Sequence, residues 1–471
     1  MSGATGAAAD VVRFPFSMIQ QAWGEMCRSA PGFIVSDTIR IRGPLDPALL
    51  QLALDDLVVR HGALRTTVAP GADEQVVHPH GRIGLEVRHH DGLGPAERED
   101  AVRDVVVELD RRHVRVDSLP VAFAVLDRLG PDDALFTLGT HHFLCDGASL
   151  HLMFADLSEL YAARLHGRLA DLPEPGVFRD YVMWETEHIL SDEYRLVREQ
   201  WREALEGAQM LQLPMDSERG EVSARYVAHH FTVPAETVAA AKRLARQERG
   251  SFFMVLLAGF AILAHEIAGD TDMVVNSLAN HRPPGEHQRT AGIFIDFQPL
   301  RIPVDDGDTL REVLGRVREV SLWAHETRSR IDHVEHDSPH LHVARPGRAP
   351  TTFSYFAVPM RPSTLAFGDH VERIEVADYM GATDPPDGIA WGLATHTTGR
   401  VTAKVEFHPA EFRTETVVEW GRRFLTVLEA LTSSPDLTVR ELATSPHPVP
   451  ASRASGAAAS AQQLAPTQGE A

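Results

Sequence analysis

The stretch Ala134 to Leu150, ALFTLGTHHFLCDGASL, decides how the rest of the chain is read. Its first nine residues read as a strand, and a strand sends alternate side chains to opposite faces. Leu135, Thr137, Gly139 and His141 then share one face, and Phe136, Leu138, Thr140 and His142 share the other. The adjacent histidines cannot do the same job: one is packed and hydrogen-bonded, the other faces an opening. Asp146-Gly147 follows at a strand-to-loop junction, where a carboxylate can lock the loop and a residue without Cβ lets a ligand approach the backbone. Beyond it, Leu150, Met153, Phe154, Leu157, Leu160 and Tyr161 recur at helical spacing. Imidazole is the usual group for taking a proton from an alcohol or amine near neutral pH. A pair of satisfied structural histidines is the competing reading, and geometry alone does not decide between them.

Outward from this strand, the same element types alternate in both directions. Ser17-Met18-Ile19-Gln20 has the pattern of a capping box, and Met18, Ile19, Ala22, Trp23 and Met26 continue it as a helical stripe. Phe33 to Ile41 reads as a strand, Asp46-Pro47 opens a helix that Gly62 ends, and Ala63 to Val68 is the next strand. Leu172 to Gly176, with its Pro and Gly, marks the end of a first half, and a charged helical stretch, Asp180 to Leu205, leads into a second. There, Ser251 caps the apolar helix beginning at Phe252, and Asp272 to Leu278, Gly292 to Ile302 and Val401 to Phe407 read as strands. Leu310 to Arg330 and Thr416 to Leu431 are amphipathic helices. The expected class is α/β, mixed sheets carrying helices. The expected divisions are a disordered N-terminus (1–13), an N-terminal subdomain (14–176), a C-terminal subdomain (177–445) and a disordered tail (446–471).

Composition narrows the function. The 471 residues are 44% hydrophobic and 24% charged, ordinary values for a folded chain. A net charge of −21 gives no general attraction for phosphate backbones, so a nucleic-acid role is not expected. Two cysteines, Cys27 and Cys145, make no disulfide framework. The apolar run Phe252 to Ala264 is shorter than the ~20 residues that span a bilayer, and the N-terminus lacks a signal-peptide pattern. The expected setting is cytoplasmic, with no membrane span.

His141-His142-Phe143-Leu144-Cys145-Asp146-Gly147 resembles HHxxxDG, the signature of the condensation-domain superfamily of nonribosomal peptide synthesis, which includes chloramphenicol-acetyltransferase-like and polyketide-associated acyltransferases. Other segments resemble the family's motifs in the same order. Phe16 to Trp23 is similar to LSxxQxxxW. Arg42 to Asp46, followed by Arg60 to Thr66, is similar to GPLD…RHEALRT. Phe178 to Tyr181 with Trp184 is similar to YxDYAxW. Asn280-His281-Arg282, followed by Ala291 to Asp296 and Pro299-Leu300-Arg301, is similar to GR…IGxFxNTLPLR. The resemblance spans about Phe14 to Leu442.

It implies two chloramphenicol-acetyltransferase-like subdomains in a V-shaped pseudo-dimer with a tunnel between them. It implies that His142 is the active-site histidine, as general base or positioner, that His141 is structural, and that Gly147 offers its N–H to substrate. Asp146 is expected to form a salt bridge, with Arg282 as first choice of partner and Arg65 as second. No adenylation or carrier segment is recognisable, so the resemblance implies a free-standing condensation enzyme without a bound cofactor. The acyl donor would be carried on the phosphopantetheine of a separate acyl or peptidyl carrier protein, and a small molecule would be the acceptor. A polyketide-associated or CoA-dependent acyltransferase, an epimerization enzyme and a non-catalytic recruitment module are the alternatives.

Two segments depart from the family pattern. Asp296-Phe297-Gln298 replaces Asn-Thr-Leu, placing a carboxylate near the expected acceptor side, and His325 to His342 lacks VPFExLV and is charged and His-rich. Ser17, Asp296, Ser354 and Tyr355 are candidate substrate contacts, with core packing the alternative for the aromatic. His333, His336, His340 and His342 with Asp337 have spacings that could ligate zinc, but a solvated loop is the better reading and no metal is expected. His89 to Gly92 is read as a turn, and His78, His80, His229 and His230 as surface residues. Cys145 occupies a spacer position and reads as a small buried residue rather than a nucleophile. Trp391-Gly392 is a candidate for the segment that crosses between the halves.

Overall fold

The structure, a computed structural model, describes residues 11–28, 33–90, 92–109, 111–217, 226–283, 285–357, 364–374, 388–396 and 398–444. Residues 1–10 and 446–471, the greater part of the two expected disordered ends, lie outside the described residues.

Each half is a mixed sheet covered by helices. The first-half sheet has five strands in the order His370–Arg373, Ile34–Arg42, Asp133–His141, Ala122–Gly130 and Leu85–His89. Helices Pro47–Arg60 and Gly147–Leu165 contribute to its core, with Leu50, Leu54, Leu57, Met153, Phe154 and Leu157 sealed against Ile39, Ile41, Phe136 and Leu138. Asp46 caps the first of these helices, accepting from Ala48 N at 2.8 Å, with Pro47 in its first turn.

The second-half sheet has seven strands. Six run Ile295–Pro303, Asp272–Asn280, Arg348–Ala357, Ile389–Thr395, Val401–Phe407 and Val227–Val233, and Gln212–Pro214 pairs with Arg348–Ala357. Its central helix, Phe252–Ala268, is buried along most of its length, as expected of a helix that is apolar all round. Ser251 caps that helix through Met254 N, and Gly269, in left-handed backbone at φ 71°, ends it. Among the described residues no single helix is long and apolar enough to cross a membrane.

A smaller cluster closes the seam between the halves. Phe14 and Ile19 from the first pack with Phe178, Tyr181, Val182, Ile293 and Phe294. A third sheet of three strands, Val12–Pro15, Glu74–Val77 and Thr66–Val68, lies beside it.

Several expectations change. Ordered structure begins at Val12, where the strand Val12–Pro15 pairs with Glu74–Val77, inside the expected disordered N-terminus. Ala63 to Arg65 lie in a short 3-10 turn, and only Thr66–Val68 is strand. Asp180 to Leu205 is two helices, Phe178–His188 and Asp192–Ala204, because Ser191 caps a new helix after the first has ended. Trp391 and Gly392 do not cross between the halves; they sit within the second-half sheet, paired to Phe353 and Ser354. The crossing segment is instead around His370–Arg373, which pairs antiparallel with Ile34–Arg42. The division at 176/177 is therefore not respected by this strand, and Leu365, Phe367 and Val371 belong to the first-half core.

Candidate active site

The strand Asp133–His141 ends at the first histidine of the motif, and the turn after it brings the chain to the cap of helix Gly147–Leu165. His141 and His142 diverge. His141 is 1% exposed, and its Nδ1 accepts from Phe143 N at 3.2 Å, so the ring proton sits on Nε2. Burial, with His142 beside it, pushes its pKa down to about 4 and keeps it neutral. It lines a cleft of about 270 Å³ together with Val68, Val114 and Val116.

His142 turns the other way and stays half-buried. Its Nδ1 lies 3.0 Å from the Cys145 carbonyl, which can only accept, so Nδ1 carries the proton and Nε2 keeps its lone pair. Its ring stacks on Phe33 at 4.9 Å and meets the edge of Trp23 at 5.8 Å. Burial pushes its pKa below the ordinary imidazole value, and the nearby Asp146 charge only partly opposes this. A neutral imidazole with a free Nε2 is a competent general base.

Asp146 holds the loop. It is fully buried and caps helix Gly147–Leu165, with Oδ1 accepting from Ser149 N at 2.8 Å. Oδ1 also lies 3.3 Å from Arg282 Nη2, and Oδ2 accepts from Phe294 N at 3.0 Å. The Ser149 hydroxyl accepts from Gly292 N at 3.0 Å and Arg282 Nη2 at 3.2 Å. Its single proton has two acceptors in reach, Asp146 Oδ1 and Gly292 O. Arg282 completes the lock by donating to Thr290 O and lying 4.1 Å from the centre of the Phe294 ring. Asp146 N donates to Gly292 O, so the motif of the first half is fastened to the second half by backbone, carboxylate and guanidinium. Gly292 is required there because a Cβ would lie 2.1 Å from the Phe178 ring. From the other side, Gln20 donates to Phe143 O at 2.9 Å, tying the motif to the first helix.

Gly147 is the first residue of its helix, so its N–H has no intrahelical acceptor. A Cβ built on it would meet no protein atom within 4 Å. Cys145 is fully buried, and burial pushes its thiol far up, so it stays protonated and is no nucleophile.

Four expectations at the site are corrected. Arg65 does not reach Asp146; its guanidinium is used by the carbonyls of Val58, Val59 and His78. Ser17 is fully buried, and its N–H and hydroxyl both donate to Gln20 Oε1, the reach-back half of a capping box, so it does not face substrate. Asp296 faces inward: it is fully buried beside Arg330, with Oδ2 accepting from Ile331 N at 3.2 Å. Burial pushes its pKa up to about 6. Ser354 accepts from Leu278 N, and the Tyr355 hydroxyl lies 2.7 Å from Thr395 Oγ1 while its ring packs on Phe252, so both are tied into the second half.

Outside the motif, His333, His336, His340 and His342 each engage a different partner: Tyr194, Asp337, the Leu205 carbonyl and Glu335. Among the described residues no group of three or more His, Cys, Asp or Glu is placed to hold a metal. His78 is tied to Thr67 and His90 to the buried Asp127, so neither is a bare surface residue.

Sequence reasoning missed Phe33, Ser149 and Arg330. Ser149 had a readable signal, standing three residues after a capping Asp. Phe33 and Arg330 had none, since each owes its place to pairing across distant segments.

The condensation-domain family model matches residues 15–332, which include every group just described. The chain belongs to the condensation-domain family. Among curated proteins this condensation domain is similar to a linear gramicidin synthase of Brevibacillus parabrevis, 31% identical over 66% of this chain. It spans only 4% of that synthase's length, as one condensation domain would. It is also similar to the dimodular nonribosomal peptide synthase of Bacillus subtilis, 29% identical over 91% of this chain and 18% of that protein. Among solved structures it is similar to the SgcC5 protein of Streptomyces globisporus, 27% identical, at a TM-score of 0.80, covering 90% of this chain and 100% of that one. The two halves are thus the two subdomains of a condensation domain.

Proposed function

We propose that this condensation domain acts as a free-standing enzyme that transfers an acyl or aminoacyl group from a carrier-protein thioester to a hydroxyl or amine. The observation that carries the reading is His142, with Nδ1 committed to the Cys145 carbonyl and Nε2 uncommitted beside the helix that starts at Gly147.

In the proposed step His142 Nε2 takes the acceptor's proton as its oxygen or nitrogen attacks the thioester carbonyl carbon. The new C–O or C–N bond forms, the C–S bond breaks, and the leaving thiolate takes the proton back from His142. The Gly147 N–H, at the positive end of its helix, is placed to steady the developing oxyanion. Holding both reactants at one imidazole supplies much of the rate. Phosphopantetheine would belong to the incoming carrier, and transfer from a thioester is downhill, so nothing in the step calls for ATP, metal or a covalent enzyme intermediate.

The SgcC5 structure supports a free-standing enzyme and a hydroxyl acceptor, because that whole chain is matched and it was crystallised with 1-(2-naphthyl)-1,2-ethanediol. A cytoplasmic setting is part of the proposal.

Intact-protein mass spectrometry of a loaded carrier, before and after adding enzyme and an aryl-diol or amine acceptor, tests the reading. Loss of the acyl mass from the carrier, with an ester or amide product that disappears in His142→Ala, is expected. Turnover only with acyl-CoA, solvent deuterium entering the carrier-bound group without acceptor, or a pathway indifferent to His142→Ala would each replace it.

A further inference from the structure

We propose that Phe33 is a positioning residue for His142: its ring fixes the imidazole plane, so that the Cys145 carbonyl can hold Nδ1 and leave Nε2 for the acceptor. The catalytic half of this statement rests on the transferase reading; the positioning half rests on geometry alone.

The imidazole has three neighbours that restrict it. The first is the hydrogen bond to Cys145 O at 3.0 Å, which selects the Nδ1 edge. By itself this bond leaves the ring free to tilt about it, because hydrogen bonds to carbonyls tolerate broad out-of-plane angles. The second is Phe33, stacked with ring centres 4.9 Å apart and planes within 16°. The third is Trp23, edge-on to His142 at 5.8 Å and 87°, and edge-on to Phe33 at 5.5 Å. Turning the imidazole over to present Nε2 to Cys145 would drive it through the perpendicular orientation, into the Phe33 face. The backbone reinforces the pairing, since His142 N donates to Phe33 O at 2.9 Å and keeps the two residues in register. Phe33 stands just before the strand Ile34–Arg42 and is half-buried, so its ring is not simply filling the sealed core. Its apolar face also agrees with the lowered basicity of His142.

The test uses Phe33→Leu, which keeps volume and apolarity but removes the flat face, and Phe33→Tyr, which keeps the face. Phe33→Met, longer and more pliable, carries the same test if the leucine variant does not fold. Histidine ¹⁵N resonances, with His142 assigned by difference against His142→Gln, report the tautomer without any substrate. We expect wild type and Phe33→Tyr to show the Nδ1–H form, and Phe33→Leu to show a mixture. Carrier-based kinetics should show kcat reduced about 10- to 100-fold in Phe33→Leu with KM little changed, because small misplacements of a reacting group cost on that order. Phe33→Tyr should recover most of the loss.

A single Nδ1–H tautomer and full kcat in Phe33→Leu, or equal damage in Phe33→Tyr, overturns the proposal. If wild type proves inactive as a transferase, the functional reading fails. The tautomer result then still decides whether Phe33 orients the ring.

Discussion

At Gly147 an added methyl group would meet no protein atom within 4 Å, so the fold itself does not ask for glycine there. Alanine is also the better helix former by about 1 kcal/mol. Gly147→Ala should therefore melt at the wild-type temperature or slightly above it, while turnover falls at least about tenfold because the methyl group occupies substrate space. Calorimetry paired with the carrier assay checks this, and unchanged turnover would show that substrate never comes that close. Asp146 is the opposite case. Removing a buried ionic partner typically costs about 3–5 kcal/mol, so Asp146→Ala should lose stability of that order along with activity. A normal denaturation midpoint with lost turnover would show that the carboxylate serves the chemistry rather than the loop. His142 itself should give kcat/KM an acid limb below the ordinary imidazole value of about 6.5, because burial favours its neutral form. A limb above that value in a pH–rate profile would contradict the geometry. Reading the sequence identified His142 because strand alternation separates it from His141 without any tertiary knowledge. Arg65 and Ser17 were misread because a side chain's type shows in the sequence, whereas its direction out of a turn or cap does not.

Between elements, the two departures from the family pattern turn out to be one feature. Asp296 begins one segment's departure and Arg330 lies in the other's, and the structure sets them 3.3 Å apart in a buried cluster. Glu185 joins them: it lies 3.6 Å from Arg330, accepts from the Tyr181 hydroxyl, and also takes the Met18 N–H at the start of the first helix. That helix carries Gln20 and Trp23 to the motif. Arg330 gives this ionic link from the second half to the first a single buried cation, so Arg330→Phe should destabilise the protein by about 3–5 kcal/mol. The double variant Arg330→Phe with Asp296→Asn should recover much of that loss, since replacing both partners removes the unpaired charge; denaturant titration of the three proteins decides it. Asp296 also makes a pH signature. Its folded pKa of about 6 lies above the ordinary 3.8, so the folded state binds the proton more tightly. The stability it contributes is complete below pH 3.8 and is lost as pH rises through about 6. Thermal melts should show that fall in wild type and a flatter profile in Asp296→Asn. None of this was legible in sequence, where the charges around His325 to His342 look like an ordinary solvated surface. Elements with strong local signals fared better, as at Asp46-Pro47, Ser251 and Val401–Phe407.

Taken whole, the molecule is two mixed sheets whose division sequence reasoning placed at a single point near Gly176. Periodicity reports where a strand lies along the chain but not which sheet accepts it, so His370–Arg373 could not be foreseen as a member of the first-half sheet. That strand is further secured by Arg373 donating to the buried Asp37 at 2.7 Å. Its location has a practical corollary for dissecting or recombining such enzymes. A first half cut after residue 176 would be left with Ile34–Arg42 as a bare sheet margin, its donors and acceptors offered to any passing chain. Such a fragment should self-associate on size-exclusion chromatography with light scattering, and a synthetic peptide spanning 364–374 should restore a single-copy species. Chimeras built from related enzymes ought therefore to inherit both pieces from one parent, although nearly two hundred residues separate them along the polypeptide.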